Sequence, residues 1–420
     1  MRGQTVSRRG LFAAAAMAMT ATGLAGCDAS GEQAGSASDG LISNPFDKPR
    51  GSQGSGAADA ADAPKPQKSP AERVLDAMTL EQKAAQLFIV TPEQLTGAAQ
   101  ATIAGPMTRD ALAQIPVGGL CYFGQNVVGE WQLRDMLAGT RELAVAAGAG
   151  IAPFLAVDEE GGPLVARIAN SGCFNVRQFP NMADIGATGD AARAAEVGSA
   201  IGSYLHDIGF NVDFAPDADV LTNPSNPVIG PRSFGSDPDV VASMVAAEVE
   251  AMLKTGTLPC LKHFPGHGDT QGDSHMGAVY TQRTRADIEG AEFKPFIAGI
   301  DAGCPLVMVG HIETPNFAAD GLPASLSTVM LTDVLRGQLG FAGAIVSDSF
   351  SMGAITQHFA PADAAVRFFQ AGGDILLMPA DLRAAYDGVL EAVHAGTLSE
   401  EHIDASVLRV LEAKEMAGLL

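Results

Sequence analysis

The chain has 420 residues, of which 47% are apolar and 18% are charged, so it is long and apolar enough to bury a full hydrophobic core. Its 48 Asp and Glu residues outnumber its 26 Lys and Arg residues and give a net charge of −22. This acidic excess repels phosphate groups, which argues against nucleic acid and anionic lipid as partners.

The first 27 residues are typical of a lipoprotein signal peptide. A basic leader precedes an apolar run of small residues that begins at Leu11 and is too short for a comfortable membrane span. The letters LAGC at positions 24–27 resemble a bacterial lipobox, which would make Cys27 the lipidated N-terminal residue. An ordinary cleaved signal is the alternative. The Arg8-Arg9 pair resembles a twin-arginine signal, so that route and the general export route both stay open.

Residues 28–70 predict a disordered tether. The segment is rich in Gly, Ser, Ala, Asp and Pro, and its only large apolar residues are Leu41, Ile42 and Phe46. Such a composition cannot bury enough surface to offset the entropy lost on ordering. We therefore expect an exported, extracytoplasmic protein that is anchored to the cell membrane through Cys27, with its folded part in residues 71–420.

Four further cysteines, Cys121, Cys173, Cys260 and Cys304, show no CxxC spacing. They would allow three disulfide pairings in an oxidising compartment. Because Cys121, Cys260 and Cys304 lie in or beside apolar runs, we expect buried free thiols without a metal role.

Eight short apolar runs recur along the folded part. They span residues 87–90, 117–123, 153–160, 210–220, 258–264, 305–312, 343–349 and 374–381. Most are near-continuous, which is typical of strands buried on both faces of a parallel sheet. Helical patterns lie between them at 190–209, 237–256 and 284–303, and Thr79 with Gln82 predicts a capping box before the first run. The sequence predicts an α/β fold, a (β/α)8 TIM-type barrel in a single catalytic domain, with an open doubly wound sheet as the alternative.

Polar residues stand at or just past the carboxyl ends of these runs, where a barrel of this kind builds its active site. They are Asp158, Asp217, His263, His311, Asp348 and Asp381. His311 has two open interpretations, a site residue or a rim histidine with satisfied hydrogen bonds. Trp131 lies in a helical pattern, and we expect it to pack inside the protein.

The densest polar stretch is KHFPGHGDTQGDSH at residues 262–275. We expect no metal there, because HExxH is absent, Pro265 and two glycines break the stretch into a loop, and a lysine at its head is an unfavourable neighbour for a cation. An acid/base site is favoured instead. Asp273 could orient His275, whose imidazole can give and then take a proton near neutral pH. His267 and Asp269 are expected to shape the loop.

This stretch resembles the signature of glycoside hydrolase family 3, in its single-domain β-N-acetylhexosaminidase branch. Other motifs of that family occur in the same order, namely MTLEQKAAQLF (78–88), VDEEGG (157–162), FNVDFAP (210–216), NPVIGPRSFGSDP (226–238), PASLS (323–327) and VSDSFSMGAI (346–355). The resemblance covers essentially the whole of 71–420 and implies an enzyme without a cofactor.

The resemblance implies a role for each matching residue. Asp348 would be the nucleophile that forms a covalent glycosyl-enzyme. His275, tuned by Asp273, would act as general acid and base in place of the second carboxylate of most retaining glycosidases. Sugar binding would fall to Asp158, Arg167, Arg232, Lys262 and His263. The family places its arginine closer to EEGG, which suggests one inserted residue here and makes Arg167 the least direct of these matches. Residues 276–278 replace the family's usual Leu-Pro, so we expect the catalytic loop to pack differently here.

The implied function is that of a retaining exo-β-N-acetylglucosaminidase that removes terminal GlcNAc from glycans, with peptidoglycan fragments as the expected substrate. Its expected partners are a β-GlcNAc-terminated saccharide and, through the lipid anchor, the membrane. Three alternatives stay open. The first is a β-glucosidase or β-xylosidase of the same family, although such an enzyme would usually have a second domain. The second is a GlcNAc phosphorylase, because histidine does not repel phosphate. The third is a non-catalytic surface glycan-binding lipoprotein.

Overall fold

The computed structural model describes residues 68–420. The predicted signal segment 1–27, its Cys27 and most of the predicted tether lie outside the described residues. The first helix begins at Pro70, and Ser69 caps it with a side-chain oxygen that accepts a hydrogen bond from the Glu72 N–H. No helix in the described part of the chain has the length and apolar character needed to cross a membrane.

Eight parallel strands form the centre of the fold. They are β1 (Phe88–Val90), β2 (Gly119–Tyr122), β3 (Phe154–Val157), β4 (Val212–Asp213), β5 (Leu258–Phe264), β6 (Leu306–Val309), β7 (Ala344–Ser347) and β8 (Leu376–Leu377). Their spatial order is β7-β6-β5-β4-β3-β2-β1-β8. A parallel bridge between Val346 and Ile375 joins the two ends of this sheet and closes it. The predicted barrel is confirmed, and each predicted apolar run contains one strand.

Helices follow every strand. The α-helices are α1 (Pro70–Ala77), α2 (Leu80–Gln86), α3 (Pro92–Thr96), α4 (Pro106–Leu112), α5 (Glu130–Ala147), α6 (Met182–Gly186), α7 (Ala191–Ile208), α8 (Pro238–Leu253), α9 (Arg285–Gly290), α10 (Phe293–Asp301), α11 (Gly353–Thr356), α12 (Pro361–Gln370), α13 (Leu382–His394) and α14 (Glu400–Met416). A π-helix, Val329–Gln338, follows β6. Two small two-stranded sheets pair Glu159–Gly161 with Val165–Ala166 and Val279–Tyr280 with Ile312–Glu313.

Local sequence signals account for several helix boundaries. Helix α2 begins with the predicted capping box, in which Thr79 and Gln82 each accept a hydrogen bond from the other's backbone N–H. The helical pattern at 284–303 forms two helices instead of one. Ala291, between α9 and α10, has φ −128° and ψ −69°, outside the helical region, and this interrupts the helix.

Burial agrees with the barrel and corrects one expectation. Every residue of the eight strands is buried. Cys121, Cys260 and Cys304 are buried free thiols, as predicted, and Cys173 is a half-buried free thiol. The expectation that Trp131 packs inside is wrong, because this side chain is 75% exposed. Helix α5 buries the stripe that begins at Leu133, and a residue two positions earlier lies on the opposite side of the helix.

Candidate active site

A cavity of about 540 Å³ lies at the carboxyl ends of the barrel strands. Seven of the eight predicted site residues line it, namely Asp158, Arg167, Arg232, Lys262, His263, His275 and Asp348. The eighth, Asp273, is hydrogen-bonded to His275. The fold thus brings together side chains that are separated by up to 190 positions in the sequence.

Glu160 links the two cations of the cavity. Its Oε1 lies 2.6 Å from Lys262 Nζ and 2.6 Å from Arg232 Nη2, and its Oε2 accepts a hydrogen bond from Arg232 Nε at 2.7 Å. Lys262 Nζ also donates to Asp158 Oδ1 at 2.7 Å. Burial alone would raise the pKa of Glu160, but Arg232 and Lys262 outweigh burial and hold that pKa well below its usual range. Glu160 is therefore an ionised, buried counter-ion.

Sequence reasoning did not single out Glu160, although it lies inside the VDEEGG motif. The neighbouring Glu159 makes different contacts. Its carboxylate accepts hydrogen bonds from the backbone N–H groups of Ile168 and Ala169 and from the Tyr204 hydroxyl. Successive side chains of an extended segment point to opposite sides, so one glutamate faces the cations while the other fastens the following loop. The sequence signal that could have identified Glu160 is the pair of consecutive carboxylates directly after a buried strand.

Arg167 lies on that fastened loop. Its backbone N–H donates to the Asp158 carbonyl at 3.4 Å, and its guanidinium carbon lies 5.6 Å from the centre of the Phe123 ring. Its Nε is buried and has no hydrogen-bond partner among residues 68–420. The Arg167 side chain can therefore donate a hydrogen bond to a ligand in the cavity.

Asp219 fixes the ring of His263. Its Oδ2 lies 2.8 Å from His263 Nδ1, and its Oδ1 accepts from the backbone N–H of His263 at 3.3 Å and of His267 at 2.6 Å. Burial, with a smaller effect from Arg232, lowers the pKa of His263 to about 4. The ring is therefore neutral at neutral pH, with its proton on Nδ1 facing the carboxylate and Nε2 left as an acceptor.

Asp217, Asp219 and His263 are the described residues whose ligand atoms come within 4.8 Å of one another, the spacing of a small metal site. However, Asp219 and His263 already bond each other, so a cation would have to displace that hydrogen bond. Burial and the neighbouring Asp219 raise the pKa of Asp217 to about 8, so it is mostly protonated at neutral pH. This arrangement suits a hydrogen-bonded support beneath the cavity better than a cation site.

Asp348 directly follows β7. Its backbone N–H donates to the Val309 carbonyl on β6 at 2.9 Å, and its Oδ1 accepts from the Ser349 N–H at 2.7 Å. Burial would raise the pKa of Asp348, but the polar neighbours His263 and His311 and the Ser349 N–H outweigh burial and lower it. Asp348 therefore presents a carboxylate to the cavity at neutral pH.

His311 supports the segment that follows Asp348. Its Nε2 donates to the Ser349 carbonyl at 2.9 Å, its Nδ1 lies 2.7 Å from Ser325 Oγ, and its ring meets the Phe350 ring edge-on at 5.3 Å. Both ring nitrogens are bonded within the protein. Of the two interpretations of His311, the structure favours the rim histidine with satisfied hydrogen bonds.

Asp273 and His275 form a pair at the tip of the loop. Asp273 Oδ1 accepts from the His275 backbone N–H at 2.9 Å and lies 2.7 Å from His275 Nδ1. Burial alone would raise the pKa of Asp273, but the backbone N–H and the ring of His275 together outweigh burial, so the pKa of Asp273 is lowered. The two side chains are 41% and 65% exposed, so His275 Nε2 is open to solvent or ligand.

The base of the same loop is held by His267 and Asp269. The distance from His267 Nδ1 to Thr270 Oγ1 is 2.7 Å, and the distance from His267 Nε2 to Ser274 Oγ is 3.2 Å. Asp269 accepts a hydrogen bond from the Thr281 hydroxyl. These hydrogen bonds support the prediction that His267 and Asp269 shape the loop, and His267 also lines the cavity.

Comparison with known proteins gives a consistent result. Residues 79–413 match the family described as "Glycosyl hydrolase family 3 N terminal domain". The chain is 34% identical over 333 residues to β-hexosaminidase A of Pseudoalteromonas piscicida. The aligned region covers 74% of this chain and 55% of that relative, so this chain spans about half of the length of the relative. Against β-hexosaminidase LpqI of Mycobacterium tuberculosis the identity is 34% over 325 residues, covering 73% and 82% of the two chains.

The solved structures agree. A glycoside hydrolase family 3 β-N-acetylglucosaminidase from Paenibacillus sp. str. FPU-7 is similar to this chain with a TM-score of 0.76 and 35% identity, covering 82% of this chain and 63% of that one. A β-N-acetylhexosaminidase from Beutenbergia cavernae has a TM-score of 0.71 and 31% identity, covering 80% and 99%.

Replacing Glu160 by Gln should destabilise the protein, because it leaves Lys262 and Arg232 buried without their shared counter-ion. We expect the free energy of unfolding at pH 7 to fall by about 3–5 kcal/mol, measured by denaturant titration. Because the pKa of Glu160 is depressed in the folded state, the advantage of wild type over variant should shrink as pH falls below the ordinary glutamate value of 4.5.

A matched control exists on the surface. Glu196 also contacts two arginines, Arg177 and Arg193, but its side chain is 40% exposed. Glu196→Gln should leave the free energy of unfolding nearly unchanged, because solvent screens an exposed ion pair. Equal losses in the two variants, or a loss in Glu160→Gln that does not depend on pH, would contradict the buried counter-ion.

Proposed function

The chain belongs to glycoside hydrolase family 3, and on that premise we propose that it is a retaining exo-β-N-acetylglucosaminidase. The observation that carries the proposal is one cavity that presents an ionised carboxylate, Asp348, together with the exposed imidazole of His275, paired to Asp273. The names of the similar β-hexosaminidases support this reaction.

In the first step, an Asp348 oxygen attacks the anomeric carbon of the bound sugar as the bond from that carbon to the leaving oxygen breaks. His275 Nε2 donates a proton to the leaving oxygen, so the departing group is a neutral alcohol. The product on the enzyme is a glycosyl ester of Asp348. The depressed pKa of Asp348 keeps the nucleophile ionised, and Asp273 holds the Nδ1 proton of His275 throughout.

In the second step, neutral His275 takes a proton from water as the water oxygen attacks the anomeric carbon. The ester bond breaks, Asp348 leaves as a carboxylate, and His275 is protonated again. Two successive inversions give retention of configuration. One imidazole thus serves as acid and then as base, a role to which histidine is suited because it titrates near neutral pH.

The ionic network at the other side of the cavity would hold the sugar. Asp158 offers a carboxylate, Lys262 and Arg232 offer N–H donors, and His263 Nε2 offers an acceptor for hydroxyl groups. Glu160 keeps the two cations in place before the sugar arrives, so little reorganisation is needed on binding. Arg167, whose Nε has no hydrogen-bond partner in the described part of the chain, would complete the set.

We propose peptidoglycan fragments with a terminal GlcNAc as the substrate, with residues 71–420 as the catalytic domain. An exported enzyme that is held at the membrane meets cell-wall glycans, and the resemblance to the lipobox supports that location. The cavity volume of about 540 Å³ suits one sugar unit and supports exo-cleavage.

Phosphorolysis is the second candidate, and the exposed His275 favours it. A carboxylate in that position would repel phosphate, whereas an imidazole does not. In phosphorolysis the phosphate oxygen would attack the glycosyl ester and release GlcNAc 1-phosphate. Identification of the sugar product in phosphate buffer separates the two reactions: free GlcNAc indicates hydrolysis, and the 1-phosphate indicates phosphorolysis.

Asp348→Asn should lower kcat on 4-nitrophenyl β-GlcNAc by at least about 10³-fold, because the amide cannot form the glycosyl ester. Wild-type enzyme should prefer this substrate to 4-nitrophenyl β-glucoside. The control is Asp381→Asn, since Asp381 also follows a strand but caps α13, a role that Asn can fill. If Asp348→Asn turns over the substrate within about twofold of the wild-type rate while Asp381→Asn is unchanged, Asp348 is not the nucleophile.

Cys27→Ala should abolish lipidation and move the protein from the membrane fraction to the extracytoplasmic soluble fraction of the producing bacterium. The reason is that the lipid would be attached through the thiol of Cys27, which alanine lacks. Fractionation followed by immunoblotting measures the shift. Cys173→Ala is the control and should stay in the membrane fraction. A Cys27→Ala protein that stays in the membrane fraction after its signal segment has been removed would contradict the lipid anchor.

A further inference from the structure

The loop tip that carries His275 is hydrogen-bonded to the segment that follows Asp348. Three consecutive carbonyl groups of the tip accept hydrogen bonds from that segment. The Ser274 carbonyl accepts from the Ala354 N–H at 3.2 Å, and the His275 carbonyl accepts from the Gly353 N–H at 3.1 Å. The Met276 carbonyl accepts from the side-chain amide of Gln357 at 2.9 Å.

These bonds hold an otherwise exposed tip. His275 is 65% exposed as a side chain, and Met276 is 75% exposed. Among the described residues, the hydrogen bonds from residues 274–276 to groups outside the loop are the three above, since the bond from Ser274 to His267 stays within the loop. The position of His275 over the cavity therefore depends on the segment 353–357.

The residues between Asp348 and Gly353 are fixed to the barrel. The Phe350 N–H donates to the Leu377 carbonyl at 2.9 Å, and the Ser351 hydroxyl donates to the Met378 carbonyl at 2.8 Å. The Phe350 side chain is buried. A rigid connection thus runs from Asp348, which is part of the barrel rim, to the loop tip that carries His275.

Gly353 permits the close approach of the loop. A Cβ atom at this position would lie 2.8 Å from the His275 carbonyl oxygen and 2.9 Å from the Met276 carbonyl carbon. Both atoms are backbone, so the loop itself would have to move. The backbone of Gly353 does not have a positive φ, so alanine is sterically allowed there apart from the contact with the loop.

We propose that Gln357 and the backbone N–H groups of Gly353 and Ala354 form a latch that sets the position of His275 relative to Asp348. Gln357 is a positioning residue, since it acts through the loop and does not line the cavity. This inference rests on the proposed acid/base role of His275. Proton transfer needs hydrogen-bond distances, so displacement of the loop tip should weaken acid and base catalysis while leaving the nucleophile and sugar pocket intact.

The test uses two latch variants, Gln357→Leu and Gly353→Ala, and two substrates, phenyl β-GlcNAc and 2,4-dinitrophenyl β-GlcNAc. Phenol needs a proton to leave, and dinitrophenol does not. We expect kcat/KM to fall about tenfold or more on the phenyl substrate and to change less than about twofold on the dinitrophenyl substrate. Azide, which attacks the glycosyl ester without a base, should raise kcat of the variants on the dinitrophenyl substrate and give the glycosyl azide.

Matched controls are available in the same chain. Gln370 is another exposed glutamine whose amide donates to a backbone carbonyl, that of Thr397, at 2.9 Å. Gly290 ends α9 and has open space where a Cβ would stand. Gln370→Leu and Gly290→Ala should keep wild-type kinetics on both substrates. If Gly353→Ala fails to fold, the exposed Gln357→Leu still decides the matter.

His275→Ala separates the two possible failures. If it shows the same selective loss on the phenyl substrate while the latch variants match wild type, the latch is wrong and the acid/base role stands. Equal losses of the latch variants on both substrates would also overturn the latch, because they would show damage to the sugar pocket. If His275→Ala keeps full activity on both substrates, the proposed acid/base role and the latch fall together.

Discussion

The contact of the Glu160 carboxylate with Lys262 and Arg232 is the interaction on which the site depends. Lys262 lies near the carboxyl end of β5, and Arg232 lies between β4 and α8. Both are largely buried cations at the barrel rim, and without Glu160 Lys262 would keep Asp158 while Arg232 would lose its bidentate partner. Removing a charge from water is costly unless an opposite charge and hydrogen bonds replace the water. Glu160 provides both, and it can do so only because its hairpin lies between the two cations.

The charges around the cavity also determine the protonation states of His263 and Asp348. His263 is buried near Arg232 and Lys262, which together with burial keeps it neutral, and Asp219 sets its tautomer. Asp348, in contrast, keeps its charge because polar and cationic groups surround it. A neutral imidazole and an ionised carboxylate can thus share one small cavity at neutral pH. Hydrogen-bond acceptors, hydrogen-bond donors and an ionised carboxylate are therefore all present in the cavity before a sugar binds.

The barrel could be predicted because its signals are local. Continuous apolar runs mark the strands, and the Thr79 capping box needs partners three residues apart. Asp158, His263 and Asp348 could be predicted from their place at the ends of apolar runs, whereas Arg167 and Arg232 could be predicted only because their motifs resemble those of a known family. Trp131 shows the limit of such local patterns, because a helical segment does not by itself say which face is buried.

The supporting residues could not be found in this way. Glu160 meets Arg232 across 72 residues, Asp219 meets His263 across 44, and Gln357 meets Met276 across 81. Each pairing depends on how the strand ends are arranged around the barrel, and no spacing in the sequence encodes it. Asp348 and His275 are likewise 73 positions apart, yet the segment after Asp348 and the loop of His275 are joined by backbone hydrogen bonds through Gly353 and Ala354.

The most direct test of the account is to trap the covalent intermediate. A slowly hydrolysed fluorinated GlcNAc fluoride should add one fluoro-N-acetylglucosaminyl group to the intact protein, and peptide mapping by mass spectrometry should place it on Asp348. The adduct should disappear on incubation without the reagent, as the ester is hydrolysed. An adduct on another carboxylate, or release of fluoride with inversion of configuration and no adduct, would contradict the account.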